Sequence, residues 1–125
     1  MKVLLVDDSK TMRTIQKKIL ESLGGAQFLE AGDGLEALAV IEANGGFDFG
    51  LVDWNMPHMD GLSLVKRIRE TNKLSPLIMC TTEAEKSRIL DALKAGVNNY
   101  VVKPFTPEIL LEKVQTTLRK MKAAA

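Results

Sequence analysis

Val3-Leu4-Leu5-Val6-Asp7-Asp8-Ser9 runs four apolar residues straight into two carboxylates. An apolar run with no polar alternation marks a strand buried on both faces, as in a parallel sheet covered by helices. The same device recurs along the chain. Phe49 to Val52 runs into Asp53, Leu77 to Cys80 into Thr81-Thr82, and Tyr100 to Val102 into Lys103-Pro104; Phe28 to Ala31 reads as a further strand. Helical spacing fills the intervals. Met12, Ile15, Ile19 and Leu23 form one stripe, stopped by Gly24-Gly25. Leu35, Leu38 and Ile41 form a second, ending near Asn44-Gly45-Gly46, and Leu62, Val65 and Ile68 a third. Ile89, Leu90 and Leu93 make a fourth helix apolar on one side, and Leu110, Val114, Leu118 and Met121 stripe the last. Thr82 with Glu85 has capping-box spacing, and Thr106-Pro107-Glu108 is a strong helix start. Asp33-Gly34 and Asp60-Gly61 each precede a helical pattern and read as loops leading into helices, not as hairpins. Five strand–helix units in strict alternation predict an α/β domain: a five-stranded parallel sheet with helices on both faces.

Composition bounds the function. The chain has 125 residues, 46% hydrophobic and 26% charged, which suits one globular domain spanning residues 1–125. Lys and Arg exceed Asp and Glu by one, so no charge bias points to nucleic acid or an anionic membrane. Cys80 is the only cysteine, excluding an internal disulfide and a multi-cysteine zinc site. The first apolar run is too short for a secretory leader or a membrane span, so a cytoplasmic protein is expected.

In an open parallel sheet, ligands sit beyond the carboxyl ends of the strands. Asp7-Asp8, Asp53, Thr81-Thr82 and Lys103 would all project from that edge. Each alone has an ordinary reading: strand terminator, turn residue, helix cap, solvated lysine. Together they restrict the chemistry. Carboxylates about 4 Å apart repel by about 4 kcal/mol per pair at an effective dielectric near 20, and one lysine offsets this only in part. A hard divalent cation such as Mg²⁺ is the simple remedy, because it takes one or two carboxylates and leaves positions for phosphate oxygens. Lysine, hydroxyl and cation then form a receptor for a phosphoryl group, with Asp53 as the attacking carboxylate. Asp7 and Asp8 would hold the metal.

The motifs Val6-Asp7-Asp8-Ser9 with Thr11-Met12-Arg13, Asp53-Trp54-Asn55-Met56-Pro57 with Met59-Asp60-Gly61, and Tyr100-Val101-Val102-Lys103-Pro104-Phe105-Thr106 resemble the receiver domain of two-component response regulators. The likeness covers essentially the whole chain and is strongest to the family's chemotaxis members. It implies a flavodoxin-like doubly wound fold and a phosphoacceptor signalling protein that is not an enzyme in the usual sense, though it assists its own phosphorylation and dephosphorylation. Asp53 would accept the phosphoryl group from a histidine kinase. Asp8 and Asp53 would bind Mg²⁺ directly, Asp7 directly or through a water, and the Asn55 carbonyl would be a further ligand. Lys103 would pair with a phosphoryl oxygen, Thr81 would be the switch hydroxyl and Tyr100 the aromatic that turns on activation. The Lys103-Pro104 bond would be cis. The resemblance further implies that the face of the fourth helix, fifth strand and fifth helix changes shape to bind a downstream protein, such as a flagellar motor switch component. Lys86, Ile89, Tyr100 and Lys113 are candidate partner-facing residues there. Asn55 and Glu83 stand where the family tunes phosphoryl lifetime, and here they suggest a short-lived signal.

Other features are set aside. His58, the only histidine, reads as an exposed loop residue, and Cys80 as buried and inert. The basic end of the last helix follows the helix dipole better than it suggests nucleic acid. Gly32-Asp33-Gly34 lacks dinucleotide-loop spacing. Too little chain follows the fifth strand for an effector domain, so a stand-alone monomeric module is expected. Alternatives are a phosphorelay intermediate, a phosphate sink, or a small Mg²⁺-dependent phosphohydrolase working through an aspartyl phosphate. The last usually carries a second aspartate two residues after the nucleophile, where this chain has Asn55. A flavodoxin-like cofactor carrier is opposed by the acidic pocket.

Overall fold

The computed structural model describes residues 1–82 and 86–124, with side chains through residue 120. Five parallel strands, β1 (Lys2–Val6), β2 (Gln27–Ala31), β3 (Phe49–Val52), β4 (Leu77–Thr81) and β5 (Asn99–Val102), form one sheet in the order β2-β1-β3-β4-β5. Five helices alternate with them: α1 (Lys10–Leu20), α2 (Gly34–Ala43), α3 (Gly61–Thr71), α4 (Lys86–Ala95) and α5 (Pro107–Ala124). A 3₁₀ turn, Glu21–Leu23, extends α1. The expected fold class is the one observed.

Strand alternation sorts the core into two layers. Leu4, Val6, Leu29, Val52, Leu77, Met79 and Tyr100 meet Ala37 of α2, Leu64, Val65 and Ile68 of α3, and Ala92 of α4. On the opposite face Val3, Leu5, Phe49, Leu51, Ile78, Cys80 and Val101 meet Leu20 of α1 and Leu110 and Val114 of α5. The helix starts are chemical. Ser9 accepts from the Met12 amide, Asp33 from Glu36, Asp60 from Ser63 and Thr106 from Ile109, each at helix-cap spacing. Asp33-Gly34 and Asp60-Gly61 are thus helix starts, as the spacing predicts.

Three helical faces differ from the expected stripes. In α1, Ile15 is 42% exposed, while Gln16 and Leu20 take the inward positions. In α2, Leu35 faces outward and Ala37 is buried. In α4, Leu90 and Leu93 are each 45% exposed, and the helix packs through Ala92 with Ile89 and Ala95 at its margin. Glu85 and Glu83 lie outside the described residues, and with them the Thr82 capping box and one lifetime position. Among the described residues no helix is long and apolar enough to cross a membrane.

Candidate functional site

The sheet ladder runs one residue past the strands and so fixes the backbone of the site. The Asp7 amide donates to the Ala31 carbonyl at 3.1 Å, the Asp53 amide to Val6 at 2.9 Å and the Lys103 amide to Thr81 at 2.9 Å. Because β1 and β3 are neighbours, Asp7-Asp8 and Asp53 emerge side by side. One carboxylate oxygen from each of Asp7, Asp8 and Asp53 lies within 4.8 Å of the others. Asp7 and Asp53 are buried and Asp8 is exposed.

Lys103 reaches into this cluster from the end of β5. Its Nζ donates to Asp7 Oδ2 at 2.6 Å and lies 3.5 Å from Asp53 Oδ2. The Ser9 amide donates to Asp7 Oδ1 at 2.9 Å, so both Asp7 oxygens are already engaged. Burial pushes the Asp53 carboxyl above its ordinary value; Lys103 opposes this and the Asp7 charge adds to it. For Lys103, burial disfavours the ammonium, but the Asp7 hydrogen bond and the two carboxylates outweigh it and hold the pKa above its usual value. One cation shared among three acids leaves net negative charge in a small volume. That donor set, all oxygen and partly open, fits a hard divalent cation held by Asp7, Asp8 and Asp53.

The backbone around the acceptor is tightly packed. The Gly61 amide donates to the Trp54 carbonyl at 2.8 Å. A Cβ on Gly61 would lie 2.0 Å from the Asp53 carbonyl oxygen. Only glycine lets α3 start this close to the residue carrying the carboxylate.

Thr81 is fully buried at the end of β4, as the strand's last residue and not the first beyond it. Strand alternation puts it on the same sheet face as Met79, whose register partner on β5 is Tyr100. Tyr100 is 9% exposed and belongs to the core, so it is not the surface residue that a partner-facing role implies; turned inward, its ring fills the space under α4. Lys86 and Asn55 are exposed, and Ile89 and Lys113 half-buried. The Lys103-Pro104 bond is cis, as the resemblance implies. Cys80 is buried, and burial pushes its thiol up to about 12, which keeps it unreactive.

Sequence reasoning missed three contacts around this core. Arg88 of α4 lies over the Trp54 ring, 5.3 Å from its centroid. His58, exposed as expected but at φ 66°, pairs its Nδ1 with Asp33 Oδ2 at 2.8 Å. Arg13, present in the first motif without a role, bonds the Asp7 backbone. None has a spacing signature, since each partner lies on another element.

Comparison with known proteins agrees with the geometry. The response regulator receiver domain model matches residues 3–115. Chemotaxis protein CheY1 of Helicobacter pylori (strain J99) is 52% identical over 120 residues, covering 94% of this chain and 97% of that protein. Chemotaxis protein CheY of Pseudomonas aeruginosa is 45% identical over 123 residues, covering 97% and 98%. Among solved structures, a CheY-like receiver domain protein of Methanospirillum hungatei JF-1 superposes with a TM-score of 0.90 at 31% identity, covering 99% of this chain and 98% of that one. A chain of the CheX-CheY-BeF3-Mg²⁺ complex from Borrelia burgdorferi gives 0.88 at 28% identity, covering 94% and 89%. Fold, strand-end chemistry and sequence likeness over nearly its full length converge: the chain belongs to the response regulator receiver domain family of two-component signalling.

Proposed function

We propose that this protein is a chemotaxis receiver that takes a phosphoryl group from a histidine kinase onto Asp53 and thereby switches its α4–β5–α5 face. The observation that carries the reading is Lys103 Nζ set between Asp7, at 2.6 Å, and Asp53, at 3.5 Å, in a cluster of three acids. An Asp53 oxygen attacks phosphorus; the bond from phosphorus to the donor nitrogen breaks, and an acyl phosphate forms. Lys103 is already placed to move from carboxylate to phosphoryl oxygen as charge shifts onto the new group. Asp7, Asp8 and Asp53, with the Asn55 carbonyl, would hold Mg²⁺. Bound there, the ion neutralises phosphoryl charge and lowers the cost of bringing an anionic donor to an anionic pocket.

The acyl phosphate adds about −1.5 to −2 charges and three acceptor oxygens. Thr81 sits at the adjacent strand end and would donate its hydroxyl to one of them. Drawing that segment inward would favour the inward Tyr100 ring, which is already buried in the core beside α4 here, over an outward rotamer. The face this remodels carries exposed Leu90, Leu93, Val102 and Ile109, an apolar surface suited to a protein partner. A flagellar motor switch protein is the proposed partner, because chemotaxis proteins of Helicobacter pylori and Pseudomonas aeruginosa are 52% and 45% identical to this chain over nearly its whole length. The protein would act in the cytoplasm as a monomer, and Asn55 and Glu83 would keep the phosphoryl lifetime short.

Incubation with Mg²⁺ and acetyl phosphate tests the reading. Wild type should gain one phosphoryl mass, labile to hydroxylamine, and Asp53→Asn should gain none. Labelling retained in the variant would overturn the acceptor assignment. For output, beryllofluoride-treated protein should capture motor-switch components; capture of transcription components instead would redirect the pathway.

A further inference from the structure

Asp7 has four polar groups beyond its neighbours in the chain, and three have evident partners. Its amide bonds Ala31, its Oδ1 accepts from the Ser9 amide, and its Oδ2 from Lys103. The fourth, its carbonyl, faces the β2 side of the sheet, where the strand has ended at Ala31 and cannot continue the ladder. Arg13 supplies the missing donor. Its Nη1 bonds the Asp7 carbonyl at 2.5 Å and its Nε bonds Glu30 Oε1 at 3.1 Å, and the Arg13 side chain is only 15% exposed. Glu30 Oε2 is held in turn by Lys17 Nζ at 3.2 Å. Burial raises the Glu30 carboxyl, but the bonds from Arg13 and Lys17 outweigh it and leave it lowered, so it stays anionic.

The arrangement does two things at once. The rigid fork of the guanidinium ties the turn after β1 to α1 and to β2, which a single-point ammonium cannot do. Glu30 also offsets part of the positive charge that Arg13 brings to the Asp7 backbone and that would otherwise oppose a divalent cation at the acid cluster. We propose that Arg13, oriented by Glu30 and partly offset in charge by it, is a positioning residue for the Asp7-Asp8 turn and sets how tightly the acid cluster holds a divalent cation. This rests on the magnesium reading of the site given above.

Mg²⁺ titrations of wild type, Arg13→Met, Glu30→Gln, the double variant and Arg13→Lys test it, read by Trp54 emission and by calorimetry. Partners that orient metal ligands typically change affinity by about 10- to 100-fold. Arg13 acts through the backbone of its ligand residue, so Arg13→Met should weaken binding by about tenfold, the low end of that range. Glu30→Gln should weaken it in the same direction, and the double variant should lie close to Arg13→Met alone. Arg13→Lys should recover binding only in part. Val114→Ala, on the buried face of α5, serves as a control that lowers stability without touching the turn and should leave Mg²⁺ affinity unchanged. Affinities of Arg13→Met and Glu30→Gln within twofold of wild type would overturn the proposal, as would an equal loss in Val114→Ala. A wild type that shows no Mg²⁺ response would instead overturn the magnesium reading itself.

Discussion

Asp53 is costly to ionise where the fold puts it, and that cost is measurable. Burial, with the Asp7 charge adding to it, keeps its native pKa above the ordinary aspartate value. Below that ordinary value both folded and unfolded chains hold the proton, and the carboxyl adds no stability difference. As pH rises toward the raised native value the unfolded chain ionises first, so the wild type loses stability, and the full penalty persists above it. Asp53→Asn should therefore be more stable than wild type at pH 7 in chelator, with the gap closing as pH falls through that window; urea midpoints read both. Added Mg²⁺ should reverse the order by stabilising wild type more than the variant. Gly61 makes a second prediction. An alanine Cβ there would lie 2.0 Å from backbone, so Gly61→Ala should cost about 3 kcal/mol or more. At Gly34 an added Cβ would lie 2.6 and 2.7 Å from Met59 Cγ and Cβ, which cannot move without the Met59 backbone, so Gly34→Ala should also destabilise, by about 1–3 kcal/mol. Asp7, Asp8, Asp53 and Lys103 were legible in the sequence because each ends a strand. The Arg13 bond to a backbone carbonyl was not, because a carbonyl acceptor looks the same at every residue.

At the scale of elements, strand positions were easier to read than helix faces. An unbroken apolar run such as Leu77 to Cys80 has one reading, whereas a helix with apolar residues on adjacent faces has two. In α1 the stripe through Met12, Ile15 and Ile19 competes with one through Gln16 and Leu20, and the second is buried, with Gln16 Nε2 3.7 Å from Cys80 Sγ. No hydropathy pattern selects a glutamine for the core. In α4, Ala92 contributes little to a hydrophobic stripe yet is the buried residue of the helix. Leu93→Asp should accordingly change stability by no more than about 0.5 kcal/mol, while Ala92→Asp should unfold or strongly destabilise the domain. Comparing the two by urea denaturation checks the rotation of α4. Loss of partner capture in Leu93→Asp, with phosphorylation intact, would place the output on that face. Helix starts were easier: Asp60 precedes Gly61 as a cap should, and Asp60→Ala should cost about 1 kcal/mol by the same assay.

For the whole molecule, strict alternation gives a parallel sheet but leaves the strand order open; the structure shows β2-β1-β3-β4-β5. That order matters because the chain reverses direction across the sheet between β1 and β3, leaving a crevice at their carboxyl ends. Asp7-Asp8 and Asp53 occupy its two lips, with Lys103 closing it from β5. Thr81 and Tyr100 lie on the sheet face that α4 covers, so an event in the crevice has a short, packed route to the outer surface of α4 and α5. Everything downstream of the crevice depends on which side chain is phosphorylated. Borohydride reduces an aspartyl phosphate to homoserine, and peptide mass mapping after acetyl phosphate and Mg²⁺ treatment would locate it. Homoserine is expected at residue 53 and at no other aspartate; homoserine at Asp7 or Asp8, with Asp53 unchanged, would contradict phosphorylation of Asp53.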